Sequence, residues 1–182
     1  RDYWVDVGTV QSYWNAHMDL LTEPPRYNIR DRNWIIHTRS EERAPTYIHP
    51  DASIQSSLIC DGCIIEPNVI IQNSVLSPGV IIHRGTQIMN SIILTDTIVG
   101  KQSVIQKSVI DKHTSIGSRS HIGLSDGKRT RISMIGKNVL LPDNMVLENG
   151  GMVGCDVKPV DLAEKRIHFG EFVLPKGRDY DF

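Results

Sequence analysis

The chain has 182 residues, enough for one domain of ordinary size with flanking pieces, and 40% of them are hydrophobic, enough for a core. Its 20 basic and 21 acidic side chains nearly cancel, so neither nucleic acid nor a membrane surface is expected as a partner. Three cysteines, Cys60, Cys63 and Cys155, fit a reducing, cytoplasmic setting rather than a disulfide framework, and no apolar run approaches the roughly 18 residues of a membrane span.

From the N-terminus, Arg1 to Thr9 reads as an extended strand ending in Asp6-Val7-Gly8-Thr9. A helix follows, because Trp14, Met18 and Leu21 recur at helical spacing behind Thr9 as its cap. Strand-end carboxylates hold divalent cations near phosphates and also cap turns, and both roles stay open for Asp6. Residues 23–47 read as a linker punctuated by Pro24, Pro25 and Pro45. Trp34, Ile35 and Ile36 anchor it, as an expected strand that crosses onto the next unit and covers its first edge.

From Ile48 to Gly123 the apolar residues return in register every seventeen positions. Ile65, Ile82, Val99 and Ile116 form one series; Ile71, Ile88, Ile105 and Ile122 a second; Leu76, Ile93 and Ile110 a third; Ile48, Ile54 and Ile59 lie one repeat upstream. A helix needs spacings near 3.6 and a hairpin sheet only alternation by two, so interleaved steps of six, five and six residues mean a three-sided solenoid. Two positions before the aliphatics stand Ala52, Val69, Val80, Thr86, Thr97, Ser103, Thr114 and Ser120, and on the short side Ser57, Ser74, Ser91 and Ser108; all point inward. Gly62, Gly79, Gly85, Gly100, Gly117 and Asn68 fall in the corners. Cys60 and Cys63 make a CxxC without a second pair, open to core packing or to a metal or redox role, with packing the better fit.

Charge is uneven along the solenoid. Between Lys101 and Lys137 eight basic residues face only Asp111 and Asp126. Lys112, Arg119, Lys128, Arg129 and Arg131 are the candidates for a phosphate-bearing ligand, against the alternative of a solvated face. His83, His113 and His121 are candidates for a general base of an acyltransferase, or surface residues without a visible partner. After Gly123 the period breaks at a turn, Ser125-Asp126-Gly127. Ile135 is expected to resume the column of Ile116 nineteen residues on, with one more coil through Val139, Leu141 and Met145. The tail, 148–182, is expected to hold a turn at Asn149-Gly150-Gly151, a short helix near 160–167, and Phe169, Phe172, Val173 and Leu174 as an end cap.

The stretch "YWVDVGTVQSYWNAHMDLL", then "YNIRDRNWIIHT", then the coil text "NSVLSPGVIIHRGTQIMNSIIL" and "SVIDKHTSIG", resembles the ADP-glucose pyrophosphorylases, or glucose-1-phosphate adenylyltransferases. The resemblance covers about Arg1 to Gly123 and implies an all-β, left-handed parallel β-helix behind a strand-helix remnant of a nucleotidyltransferase domain. It divides the chain into remnant (1–22), linker strand (23–47), β-helix (48–147) and capping tail (148–182). It implies a parent that joins ATP and glucose 1-phosphate into ADP-glucose, with Asp6 helping to hold Mg²⁺, Lys112 binding a phosphorylated effector, and a homotetramer in contact with its own catalytic domains. The Gly-rich GGxGTRL phosphate loop of that family is not in this sequence, so the piece is expected to be inactive by itself. A hexapeptide-repeat acyltransferase and a noncatalytic structural paralogue are the alternatives. Alternation also sends Leu58, Val75, Ile92 and Val109 outward in one apolar column, and Ile64, Ile81 and Ile98 in another. One is expected against the N-terminal linker or catalytic domain, the other against a neighbouring subunit.

Overall fold

The computed structural model describes residues 3–29, 31–33, 41–125, 127 and 130–177; Trp34 to Ile36, Lys128 and Arg129 lie outside them. Short strands stack in parallel into three sheets of six, seven and seven strands, which form the faces of a solenoid of seven turns. The first face runs from Tyr47–Ile48 to Leu140–Leu141, the second from Ser53–Gln55 to Arg166–Ile167, and the third from Leu58–Ile59 to Phe172–Val173. Each series read from the period is a ladder column: Ile65 pairs with Ile82, Ile71 with Ile88, and Leu76 with Ile93. All six are fully buried in one continuous core. A single coil has no second layer to bury its apolar side chains, so stability comes from stacking.

The serine column has a backbone reason. The residue before each serine takes a left-handed conformation, with φ of 45° at Ser56, Asn73 and Lys107 and 51° at Asn90. That rotation turns the serine N–H away from the ladder carbonyls. The hydroxyl one coil earlier accepts it instead: Ser74 N–H on Ser57 Oγ, Ser91 on Ser74 and Ser108 on Ser91, at 3.1, 3.1 and 3.2 Å. The same hydroxyls donate to the carbonyl two residues back, as Ser91 does to Met89 at 2.8 Å. Ser91→Ala therefore orphans the buried Ser108 N–H, while the Met89 carbonyl keeps the Lys107 N–H, an expected loss of about 1–3 kcal/mol. Denaturant unfolding should show that loss, and a clearly smaller one for the half-buried Ser57→Ala, where water replaces the hydroxyl.

Two expectations change. Beyond the loop, Ile116 stacks on Leu141 and Ile110 on Ile135, a step of twenty-five residues rather than the nineteen read from Ile116 to Ile135. Inward aliphatics recur about every six residues along the coil, so a slip of one face leaves the apolar pattern intact and hides the true phase. Gly100 sits in its corner for a reason other than a positive φ. A Cβ there would stand 2.5 Å from the Ser118 nitrogen, so the glycine admits the next coil's backbone.

The ladders also run on past residue 147, through Met152–Val153, Arg166–Ile167 and Phe172–Val173. The expected tail helix is one 3-10 turn, Pro159–Asp161, followed by a strand. Phe172 continues the outward column of the third face and is 47% exposed.

Candidate functional site

The first functional element is the helix Val10–Asp19, α1. Thr9 caps it: its hydroxyl accepts the Ser12 N–H at 3.0 Å while Ser12 Oγ accepts the Thr9 N–H at 3.1 Å. Val10, Tyr13, Trp14 and Met18 share one side of the helix and pack on Ile92, Val109 and Ile132. The middle of the outward column of the third face, at Ile92 and Val109, is thus covered by the N-terminal helix, and Ile92 has no exposed surface. Trp14 Nε1–H donates to the Asn90 carbonyl at 2.8 Å and fixes the helix along the coils. The other outward column stays open, with Tyr47, Ile64, Ile98 and Leu140 each 38–55% exposed. The strand expected before α1 is not formed, since residues 3–8 pair with no other strand among the described residues.

Between the start of α1 and the third face lies a groove of about 480 Å³ lined by Gly8, Thr9, Tyr13, Met134, Cys155 and Asp111, among others. Gly8 of this lining donates its N–H to Asp6 Oδ1 at 3.0 Å, and the other Asp6 oxygen has no partner among the described residues. Asp111, also in the lining, accepts the Lys112 N–H on Oδ1 at 2.7 Å. Burial, and then the nearby Asp111 charge, push the Tyr13 phenol up. Val7 and Asp111, the sequence neighbours of Asp6 and Lys112, line this groove, while Asp6 and Lys112 themselves do not. Asp6 stands without companions: no group of three or more His, Cys, Asp or Glu that could hold a metal occurs among the described residues. One carboxylate would suit a divalent cation only if the remaining ligands came from elsewhere.

Lys112, Arg119 and Arg131 sit at three different corners. Arg119, between the first and second faces, is engaged by the next coil, with Nε donating to Asn144 Oδ1 at 2.9 Å and Nη2 3.5 Å from Asp143. Arg131, between the second and third, lies 5.3 Å over the Phe169 ring. Lys112, between the third and first, is exposed, and the corrected register places Lys137 one coil below it. Backbones at this register are about 4.8 Å apart. Neither ammonium has an ion-pair partner among the described residues. Two like charges stacked this way repel, and a bound anion relieves both.

The same corner holds the linker. Arg43 lies along Gly62 and Gly79, whose missing side chains make the channel. Its guanidinium forks onto Asp96 at 2.6 and 3.0 Å and reaches Glu41 at 2.8 Å. His113, beside Lys112, has Nδ1 3.8 Å from Asp96. The Arg43 hydrogen bond holds the Asp96 carboxyl below the usual carboxylate range. A depressed folded value means that the fork's contribution is complete above the ordinary Asp value of about 3.9 and is lost as pH falls through the lower folded one. Cleavage of the linker at residues 41–46 by an acid protease should accordingly stay slow near pH 5 and quicken only below about pH 4. Arg43→Ala should quicken it at both. A rate already high near pH 5 in the parent would remove the fork from the account.

The remaining candidates have structural duties. His83, which shows no partner in the sequence, has Nδ1 2.9 Å from Glu66 Oε1, seventeen residues away, and His113 faces Asp96. His121 is exposed on the second face, and no described pocket joins the three. Cys63 Sγ donates to the Ser77 carbonyl at 3.3 Å, as the Thr97 and Thr114 hydroxyls in its column donate to theirs. Burial pushes both the Cys60 and Cys63 thiols up, which opposes the thiolate that metal or redox chemistry needs.

A parallel three-faced solenoid with an N-terminal helix strapped to one face defines a hexapeptide-repeat protein. The chain belongs to the family described as GlmU-like, C-terminal hexapeptide, whose profile matches residues 46–141. Over 96% of its length it is 41% identical to a glucose-1-phosphate adenylyltransferase of Thermotoga neapolitana, and over 94% it is 39% identical to that of Thermotoga maritima. A segment of 63 residues is 57% identical to the Thermomicrobium roseum enzyme of that name, covering 35% of this chain and 15% of that one. The chain spans only 43% and 42% of the two Thermotoga proteins. No helix among the described residues is long and apolar enough to cross a membrane.

Proposed function

We propose that this chain is the regulatory and assembly solenoid of a cytoplasmic glucose-1-phosphate adenylyltransferase. The whole enzyme joins ATP and glucose 1-phosphate into ADP-glucose and pyrophosphate, and the solenoid binds a phosphorylated effector that sets its rate. The observation that carries this is the pair of exposed lysines, Lys112 and Lys137, stacked one coil apart at the corner that also holds the Arg43 fork. Lys112 and Lys137 hold the effector's phosphate as stacked point charges. The Arg43 fork ties the linker to the same corner, so occupancy there reaches the segment leading to the catalytic domain. Arg119 and Arg131, at the other corners, do not share that ligand within one copy, and Lys128 and Arg129 lie outside the described residues.

Asp6 supplies one carboxylate to the Mg²⁺ that neutralises phosphate charge when bound, and the catalytic domain supplies the rest. The open column of Tyr47, Ile64, Ile98 and Leu140 is the face for a neighbouring subunit of the homotetramer. Calorimetric titration of this chain with a sugar bisphosphate should show a site that weakens at least tenfold in Lys112→Ala and weakens further as salt rises. Unchanged binding in that variant would return the corner to a solvated face.

A further inference from the structure

We propose a second anion site at the corner between the second and third faces, taking a phosphate dianion, either free or as the end of a phosphomonoester. Gly123 there has φ of +80°, and a Cβ on it would collide with the Gln106 carbonyl oxygen, so only glycine turns the chain outward into the loop. The buried Asn149 closes that loop: its Nδ2 donates to the Leu124 carbonyl at 3.4 Å and its Oδ1 accepts the Arg131 N–H at 3.3 Å. The closed loop leaves a cavity of about 140 Å³ lined by Lys107, Gly123, Ser125, Thr130, Arg131 and Asn149. That is well below the ~300–1,000 Å³ of sites that enclose whole small molecules, and suits a phosphoryl group with any ester portion in solvent.

The charge points the same way. No carboxylate lines the cavity among the described residues. The neighbouring Glu148 is already taken by the Arg166 guanidinium and the Phe169 N–H. Lys107 and Arg131 have no carboxylate partner among the described residues, while Arg43, Arg119 and Arg166 all have one. Lys107 also departs from its column. Asn90 and Asn73 hold the same left-handed corner one and two coils earlier and are linked side chain to side chain at 2.7 Å. A third asparagine would extend that link and suits φ of 45°; lysine accepts the strain and gives up the link. Asn90 forms another wall of the cavity, and its carbonyl holds Trp14 of α1, so the indole reports on the site.

The test begins from a Lys112→Ala, Lys137→Ala variant of this chain, in which the effector corner proposed above is disabled, so that the two readings fail separately. Calorimetry with inorganic phosphate should still find one saturable site, accompanied by a shift in Trp14 emission in a Trp4→Phe, Trp34→Phe background. Lys107→Asn should weaken phosphate at least tenfold and unfold at higher denaturant than its parent, a pairing that a merely structural lysine would not give. Arg131→Gln should weaken binding with the tryptophan spectrum of the free protein unchanged. Phenyl phosphate binding as well as phosphate assigns the site to ester termini, and phosphate alone assigns it to the free ion. No saturable site in the double variant, or equal binding after Lys107→Asn, overturns the proposal.

Discussion

Ile92→Lys is expected to release α1 from the solenoid while the coils stay folded. Ile92 is fully buried, yet it points outward from the third face, against Tyr13, Trp14 and Met18 rather than into the aliphatic core. Lysine loses about 1.5–3 kcal/mol of apolar burial at that point. It also brings an ammonium with no acceptor in an apolar seam, which the structure avoids only by giving up the seam. Trp14 should then lose its hydrogen bond to Asn90, and its emission should move to the red. The strand signal in far-ultraviolet dichroism should persist, because Ile93 and Leu76 on the inward side are untouched. Ile98→Lys, on the open column at 38% exposure, should change neither. A buried Trp14 in the Ile92 variant would mean that the helix is held by something other than this column.

Much of this arrangement is visible in the residues. The seventeen-residue return of Ile65, Ile82, Val99 and Ile116 dictates stacking, and alternation separates inward Ile93 from outward Ile92 without any structure. Thr9 before Trp14 and Met18 announces a capped helix, because the cap and the apolar spacing are both local. What escapes a reading of the sequence is non-local. Once the loop after Gly123 breaks the count, an aliphatic every six residues fits any of the three faces, so Ile135 attaches to the wrong column and Lys137 is not seen beneath Lys112. The Arg43 fork joins residues fifty-three apart through side chains alone and leaves no periodic trace. The eight cations look like one cluster in sequence because a solenoid places consecutive corners on opposite sides of a triangle. The absent strand before α1 has a different cause: an extended segment needs a neighbour to pair with, and none stands beside residues 3–8 among the described residues.

The regulatory account predicts its largest effect in the full-length adenylyltransferase. There Lys112→Ala, Lys137→Ala should abolish the response to effector and leave turnover without effector within about twofold of the parent. Both lysines are exposed and have no ion-pair partner among the described residues, so their removal costs the fold little. On the proposed function they would supply two charges one coil apart to a phosphate, each charge-assisted contact contributing about 1.5–3 kcal/mol. Losing both removes more than a hundredfold in effector affinity by the usual conversion of about 1.4 kcal/mol per tenfold change. The decisive measurement is therefore an effector titration of ADP-glucose synthesis in the parent and in this double variant at low salt. A flat titration with normal basal turnover is the predicted result; a half-saturation point equal to the parent's would contradict the assignment of the effector to this corner.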